Sequence, residues 1–224
     1  MPDRLSGAET RARIVAATAA ILEEDGIRPL TVTGTMARAS VSRTAFYRHF
    51  ADPYEVLGVL LERIGGELLA TSGAWLTQPE SIGTPGVVYA NLLSFARAYE
   101  SHGRLLAAIA DAAAIDDRVH ALWWDGLVQT FIDRTAEAIE RDQAAGAVRP
   151  DLDARAAAYS LTLMGERASY HLMGRDRIAG PDEYAQRLAP VWVGTLFGEV
   201  PESSSRIGQG PLGSRRVNTA RDRS

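Results

Sequence analysis

The segment SVSRTAFYRHF, residues 40–50, has the residue types and spacing most suited to binding chemistry in this sequence. It places two arginines, a histidine and a tyrosine among short hydroxyl side chains, and it contains no acid. Guanidinium, imidazole and phenol groups all donate hydrogen bonds, and the guanidinium matches planar or phosphate-like acceptors. Donors grouped in this way are typical of a surface that binds an anionic partner.

The charge distribution along the chain favours the same interpretation. Residues 27–50 hold four arginines and no acid, whereas residues 51–198 hold 12 arginines and 20 acids. The 224 residues together carry a formal charge of -4, so the basic segment is a local feature. Such asymmetry is typical of a segment that meets a polyanion, although charge alone also allows a chance fluctuation on a solvated surface.

Two short helices are predicted around this segment. Thr31 or Thr33 can cap the first, which ends near Ala39, and Ser42 can cap the second, over residues 43–50. At about 100° per residue, Phe46 and Phe50 share one face of the second helix and should pack inward. Two short helices with a tight turn predict a helix-turn-helix, whose second helix enters the major groove of DNA. An amphipathic surface helix is the alternative.

The elements that must position this segment are all predicted to be helical, because no stretch shows sustained alternation of apolar and polar residues. We expect an all-α fold of about nine helices, with an N-terminal helix-turn-helix domain and a C-terminal helical domain. The predicted helices cover residues 7–25, 31–39, 43–50, 53–69, 84–102, 104–113, 116–145, 153–174 and 181–197. Residues 199–224, rich in Ser, Gly, Arg and Pro, are predicted to be a disordered tail.

The stretch TVTGTMARASVSRTAFYRHFADPYEVLGVLLERI, residues 31–64, resembles the N-terminal domain of the TetR family of transcriptional repressors. The resemblance is carried mainly by Ser42, Phe46, Tyr47, His49 and Phe50. It implies that Tyr47 and His49 hold phosphates. The candidate DNA-binding residues are Ser42, Arg43, Thr44, Ala45, Tyr47, Arg48 and His49.

Four residues depart from the family pattern. Thr35 and Met36 stand where an aliphatic residue and a small alanine are usual, and Ser40 replaces the usual turn glycine. These three changes should loosen the first short helix. Pro53 occupies the place of a phosphate-binding lysine, so phosphate contacts should depend on Arg43, Tyr47 and His49.

The C-terminal part carries aromatic stripes. One stripe consists of Trp124, Val128, Phe131 and Thr135, at spacings of four, three and four residues. This spacing places all four on one face of a helix. Such a stripe is more often plain core than the wall of a ligand pocket. The segments YESHG (99–103), LTLMGERASY (161–170) and VWVGTLFGE (191–199) also resemble the ethionamide-resistance-regulator branch of the same family.

That second resemblance implies an elongated apolar tunnel that takes a small molecule. The matching positions are Phe95, Tyr99, Trp124, Val128, Phe131, Thr135, Thr162, Gly165 and Trp192. Thr162 and Gly165 replace polar amides of the relatives, so we do not expect the same ligand. With these roles, residues 1–52 form the helix-turn-helix DNA-binding domain and residues 53–198 the ligand-binding and dimerisation domain.

The last two predicted helices carry apolar stripes larger than one monomer face needs. The stripes consist of Leu161, Met164, Ala168, Leu172, Leu188, Val191 and Thr195. The resemblance implies that these helices pair with their two-fold mates in a four-helix homodimer interface. An intramolecular hairpin is the alternative.

Several functional classes find no support in the sequence. The chain has no cysteine, which excludes disulfides, thiolate metal sites and cysteine nucleophiles. Asp116, Asp117 and His120 have a metal-like spacing, but a capped helix start explains both acids. We expect no enzyme activity, cofactor or metal. With no leader or membrane span in view, we also expect a cytoplasmic protein.

The sequence therefore predicts a ligand-responsive transcriptional repressor. It should bind a palindromic double-stranded DNA operator as a homodimer, and a small apolar effector should release it. One alternative is a helical small-molecule-binding or enzymatic protein with a non-functional DNA-binding head. Another is a regulator that answers to a protein partner, which a pocket filled by bulky side chains would favour.

Overall fold

The computed structural model describes residues 6–198, and the predicted tail at residues 199–224 lies outside this range. These residues form ten helices and no strand, which confirms the predicted all-α fold. The first seven are α1 (Gly7–Asp25), α2 (Val32–Ala39), α3 (Arg43–Tyr47), α4 (Pro53–Thr71), α5 (Ala74–Thr77), α6 (Pro85–Glu100) and α7 (Gly103–Ala113). Helix α8 joins Asp117–Ala121, Leu122–Val128 and Gln129–Ala144; α9 joins Ala154–Ser169 and Tyr170–Arg175; α10 is Pro181–Phe197. No helix in the described range is long and apolar enough to cross a bilayer.

Side-chain caps fix the helix starts where the sequence predicts them. Ser6 and Glu9 form a capping box at α1, and Asp52 accepts a hydrogen bond from the Glu55 amide at α4. The tenth helix, α5, was not predicted, because four residues are too few to show a helical period. Helix α3 ends at Tyr47 rather than at Phe50. Residues 48–50 continue as a turn in which the His49 and Phe50 amides both donate to the Phe46 carbonyl, and Asp52, before Pro53, is extended.

Two helices contain a wider, π-helical turn. In α8 the turn covers Leu122–Val128, and in α9 it covers Tyr170–Arg175. Hydrogen bonds from residue i to i+5 place one additional residue in each such turn, and π turns are frequent at functional sites. Each turn rotates the side chains before it relative to those after it.

Helix α4 and the π turn of α8 approach each other closely because two glycines face two leucines. A Cβ atom on Gly58 would lie 3.2 Å from Leu122 Cδ1, and one on Gly65 would lie 3.0 Å from Leu127 Cδ1. The glycines are seven residues apart and therefore share a face of α4. Helix α4 also packs against α1. It therefore connects the described N-terminal part, residues 6–52, which we call the head, to the C-terminal part, residues 53–198, which we call the body.

A buried carboxylate attaches α5 and the loop that follows it to α8. Asp142 is fully buried and accepts hydrogen bonds from Trp75 Nε1 at 2.6 Å and from the Gly83 amide at 2.8 Å. Arg141 Nε lies 3.2 Å from its other oxygen and supplies a compensating charge. We call Asp142, Trp75 and Gly83 the carboxylate clasp.

We expect Asp142→Ala to lower the free energy of unfolding by about 2 to 4 kcal/mol, because it leaves two buried N–H groups unpaired. The matched control is Asp133→Ala on the same helix, since the Asp133 side chain is 45% exposed and bonds only to the exposed Arg155 and to Gln129 one turn away. The control should change stability by less than about 0.5 kcal/mol in urea unfolding. Equal losses in the two variants would contradict a structural role for the clasp.

Candidate nucleic-acid interface and ligand cavity

Helix α3 presents its polar side outward. Phe46 is 0% exposed and Phe50 is 3% exposed, as the helical geometry predicts. Among the candidate DNA-binding residues, Ala45 and His49 are half-buried. The exposed ones are Ser42, Arg43, Thr44, Tyr47 and Arg48. The Ser42 hydroxyl also caps α3 by accepting from the Ala45 amide, so one side chain both starts the helix and lies on its outer surface.

The arginines of the basic segment differ in their pairing. Arg38 binds both carboxylate oxygens of Glu24, with Nη1 2.6 Å from Oε2, and the arginine holds the pKa of Glu24 below its ordinary value. Neither Arg43 nor Arg48 forms an ion pair with any acid in the part of the chain that the structure describes. The Arg43 guanidinium instead lies over the Tyr47 ring, 5.4 Å from its centroid. Arg43 and Arg48 therefore keep their charge available for a partner.

The half-buried His49 lies against the start of α1, where a Cβ on Gly7 would be 3.6 Å from its Cε1 atom. Tyr47 is 45% exposed, which is high for so large an aromatic side chain. The exposed hydrogen-bond donors are therefore Arg43, Tyr47 and Arg48, and the half-buried His49 lies at the edge of this group.

A cavity lies within the body, between α4, α6, α8, α9 and α10. Its volume is about 70 Å³. Eight of the nine predicted pocket residues line it: Phe95, Tyr99, Val128, Phe131, Thr135, Thr162, Gly165 and Trp192. The sequence missed further wall residues: Leu68, Ser72, Leu76, Asn91, Leu92, Trp123, Leu127, Glu166 and Tyr184. Of these, Asn91 had a readable signal, since it is a lone amide in the largely apolar stretch VVYANLLSF.

Trp124 is the predicted pocket residue that lies outside the cavity, and Trp123 takes its place. Trp124 stacks on His120 with ring centroids 6.5 Å apart and meets Tyr159 edge-on. The predicted spacing assumed a regular α-helix. The π turn places the residue five positions before Val128, rather than four, on the cavity side.

The cavity is bounded mainly by neutral groups. Burial raises the pKa of the Tyr99 and Tyr184 phenols well above the ordinary value, so both stay protonated at neutral pH. Burial also raises the pKa of Glu166, the one acid among the lining residues, although the Arg167 charge opposes this shift. No lining residue is cationic.

Helices α9 and α10 use part of their apolar stripes within the monomer. Leu161, Leu172 and Leu188 are 4%, 7% and 5% exposed and belong to the internal core. Val191 is 49% exposed, and Met164, Ala168 and Thr195 are half-buried. The two helices pack mainly against α8 and α6 and contact each other less.

Arg118 connects the start of α8 to the start of α4. Its Nη1 lies 2.8 Å from Asp52 Oδ2, and its Nη2 lies 2.9 Å from Asp116 Oδ2. Asp116 accepts from the Arg118 and Val119 amides, as the predicted helix cap requires. Asp52 caps α4 directly after the α3 turn, so Arg118 joins the body to the edge of the head.

Comparisons with known proteins agree with this architecture. Residues 89–198 match the family model described as transcriptional regulator EthR, C-terminal domain. The HTH-type transcriptional regulator EthR of Mycobacterium tuberculosis is 25% identical over 197 residues, covering 88% of this chain and 91% of that protein. The regulator of the same name from Mycolicibacterium smegmatis is 24% identical over 201 residues, with the same two coverages. The chain is a TetR-family transcriptional regulator of the EthR branch.

Solved structures of TetR-type regulators share the fold. SmeT in complex with triclosan has a TM-score of 0.68 at 22% identity, covering 86% of this chain and 97% of that chain. The fatty acid degradation regulator FadR from Bacillus halodurans has a TM-score of 0.68 at 13% identity, covering 83% and 95%. The similarity therefore extends over the N-terminal head as well as the EthR-type C-terminal domain.

The departures of this EthR-branch regulator from the family pattern have visible consequences. Ser40, in place of the usual glycine, ends α2 in the left-handed conformation at φ 53° and ψ 46°. The Thr35 hydroxyl is fully buried with no hydrogen-bond partner among the described residues. Pro53 is buried at the first position of α4. The first two features each cost stability in the head.

We expect Ser40→Gly to raise the free energy of unfolding by about 0.5 to 1 kcal/mol, because glycine adopts the left-handed conformation without a Cβ clash. The control is Ser101→Gly, since Ser101 also ends a helix but at φ -62°. There, glycine adds only unfolded-state entropy and should destabilise the protein. Chemical denaturation measures the change in the free energy of unfolding of each variant. Changes of the same sign in the two variants would contradict a strained left-handed conformation at Ser40.

Proposed function

We propose that this regulator is a repressor that binds a palindromic operator as a homodimer and is released by a small, largely apolar effector. The observation that carries the proposal is the exposed group of Arg43, Tyr47 and Arg48 on α3, with both arginines free of acid partners in the described range. Guanidinium forks match guanine edges and phosphates, whereas a phenol donates to phosphate. A chromosomal operator also agrees with the cytoplasmic location predicted from the sequence.

The proposed roles divide the candidate DNA-binding residues into three groups. Arg48, Thr44 and Ala45 face bases, because they lie opposite the buried Phe46 and Phe50. Tyr47 and His49 hold phosphates on the flanks. Arg43 and Ser42 complete the contact surface at the start of α3, where free backbone amides also attract a phosphate.

The homodimer is supported by the face of α9 and α10 that the monomer leaves open. Val191 at 49% exposure and the half-buried Met164 and Ala168 supply apolar surface, and the small Ala168 lets helices approach closely. A two-fold axis beside these helices would repeat the α3 surface. Two half-sites roughly 34 to 36 Å apart, or a multiple of that distance, would then form the operator.

The effector proposal is supported by the apolar cavity and its connection to α4. Leu127 lines the cavity and also contacts the face of α4 at Gly65. A ligand that displaces Leu127 would therefore move α4, whose first residue follows the α3 turn. A ligand that prefers the released state about 100-fold supplies about 2.7 kcal/mol against operator binding.

One structural neighbour, SmeT, supports this response. SmeT is the repressor of a Stenotrophomonas maltophilia multidrug efflux pump, and its structure in complex with triclosan shares this fold. The cavity volume of about 70 Å³ is smaller than the roughly 300 to 1,000 Å³ of typical ligand pockets. The half-buried Phe95 and Phe131 must therefore move to admit a ligand, and a site that never opens would favour the protein-partner alternative.

We expect operator affinity to fall steeply with salt, because each phosphate contact releases counterions. Arg48→Ala should weaken binding by about 1 to 3 kcal/mol and relax preference at particular bases, whereas Tyr47→Phe should weaken all sequences alike. The control is Arg38→Ala, since Glu24 already neutralises Arg38. Duplexes selected from genomic fragments and titrated by fluorescence anisotropy provide the measurement. No preference over random duplex would instead support the alternative with a non-functional head.

We expect an uncharged elongated probe, methyl octanoate, to change tryptophan emission and raise the melting temperature by mass action. Trp123→Phe and Trp192→Phe should each reduce the emission change, because both indoles line the cavity. Trp124→Phe should leave it intact, since Trp124 stacks on His120 outside the cavity. An emission change that depends on Trp124 instead would place the ligand elsewhere.

A further inference from the structure

Three polar atoms in the cavity wall have no partner within the described protein. They are Asn91 Oδ1, the Thr162 hydroxyl and Trp192 Nε1, and each is inaccessible to solvent. Asn91 and Trp192 are each only 5% exposed. A buried polar group without a hydrogen bond costs about 1 to 3 kcal/mol, so three around one cavity require an explanation. A ligand that bonds to them would recover this cost.

The chemistry of the two most buried groups is complementary. Trp192 Nε1 can only donate a hydrogen bond, whereas Asn91 Oδ1 can only accept one. A ligand that satisfies both must therefore carry an acceptor and a donor. The neighbouring Trp75 offers a comparison within the protein, because its own Nε1 already donates to Asp142 at 2.6 Å. The clasp therefore satisfies one indole of the pair and leaves the other free.

Asn91 and Trp192 both pack against the segment at residues 73–75. A Cβ on Gly73 would be 2.9 Å from Asn91 Oδ1, and Gly73 has a positive φ of 91°, so glycine leaves room for the amide. The Trp75 ring meets the Trp192 ring edge-on, with centroids 6.2 Å apart. One short segment thus contacts both residues of the cavity wall.

The remainder of the cavity favours an apolar, uncharged body. Phe95 and Phe131 meet edge-on in the wall, with centroids 5.5 Å apart. No cation lines the cavity, so a carboxylate ligand would bring a buried charge without a counter-ion. The one acid among the lining residues, Glu166, lies on α9 with its Oε2 3.6 Å from Arg167 Nε, so the nearby arginine charge is already paired.

We propose that the effector is a neutral, elongated molecule with a carboxamide head that donates to Asn91 Oδ1 and accepts from Trp192 Nε1. Its apolar body lies against Phe95 and Phe131. This inference rests on the proposed ligand response, and it names the class of molecule and the two residues that select it. Asn91 is a specificity-determining residue for the head group, because only a donor-bearing head satisfies its oxygen.

The test compares four probes of one chain length: octanamide, methyl octanoate, octanoate and octylammonium. Dissociation constants come from tryptophan emission, with calorimetry as a second readout. Octanamide should bind the wild-type protein at least tenfold more tightly than methyl octanoate, which accepts but cannot donate. Octanoate should bind more weakly than either neutral probe.

The decisive variant is Asn91→Leu, which keeps a similar side-chain volume and removes a buried unpaired oxygen. It should reduce the octanamide advantage to less than threefold and leave methyl octanoate affinity unchanged. The matched control is Arg97→Ala, an exposed position on the same helix, which should retain the full advantage. Trp192→Phe should weaken both neutral probes, since both carry a carbonyl acceptor. Melting curves establish that each variant is folded.

The outcomes separate the inference from the proposed function. Equal affinities of octanamide and methyl octanoate, or an advantage that survives Asn91→Leu, would overturn the inference while leaving a ligand-responsive repressor in place. Selective octanamide binding that leaves operator affinity unchanged would support the inference and contradict effector-driven release. Binding of none of the four probes would overturn both the inference and the ligand response.

Discussion

The packing of two leucines of α8 against two glycines of α4 is the constraint on which the rest of the structure depends. Leu122 and Leu127 approach Gly58 and Gly65 so closely that a Cβ on either glycine would lie 3.2 Å or less from a leucine methyl. This contact fixes α8 directly on α4 and closes one side of the cavity. Because α4 also packs on α1, the same helix carries the head.

The head achieves its basic surface by leaving selected charges unpaired. Arg38 is neutralised by Glu24, whereas Arg43 and Arg48 keep free guanidinium groups beside Tyr47. The body is acidic, so a polyanion would be repelled except at this face. Leaving these charges unpaired has little effect on folding stability, because exposed charges contribute little to it. Such charges contribute much more to the rate at which a charged partner is encountered.

The body combines a well-packed core with a cavity whose buried polar atoms are not all hydrogen-bonded. The carboxylate clasp at Asp142 pairs the buried Trp75 indole and the Gly83 amide, whereas Asn91 Oδ1 and Trp192 Nε1 stay unpaired among the described residues. Natural proteins keep their local inconsistencies mainly at functional sites. The contrast between the clasp and the unpaired groups therefore separates the part of the body that maintains the fold from the part available to a ligand.

The sequence by itself determined nine of the ten described helices, the side-chain caps and the two faces of α3, because these depend on local periodicity and on side chains within three or four residues. Of the nine pocket residues predicted from the sequence, partly through the family resemblance, eight line the cavity. Tertiary structure decided the rest. The π turn in α8 exchanged Trp124 for Trp123, and only packing brought Asn91 and Trp192 into the wall of one cavity and Glu24 to Arg38. Such contacts join residues distant in sequence, and no local pattern encodes them.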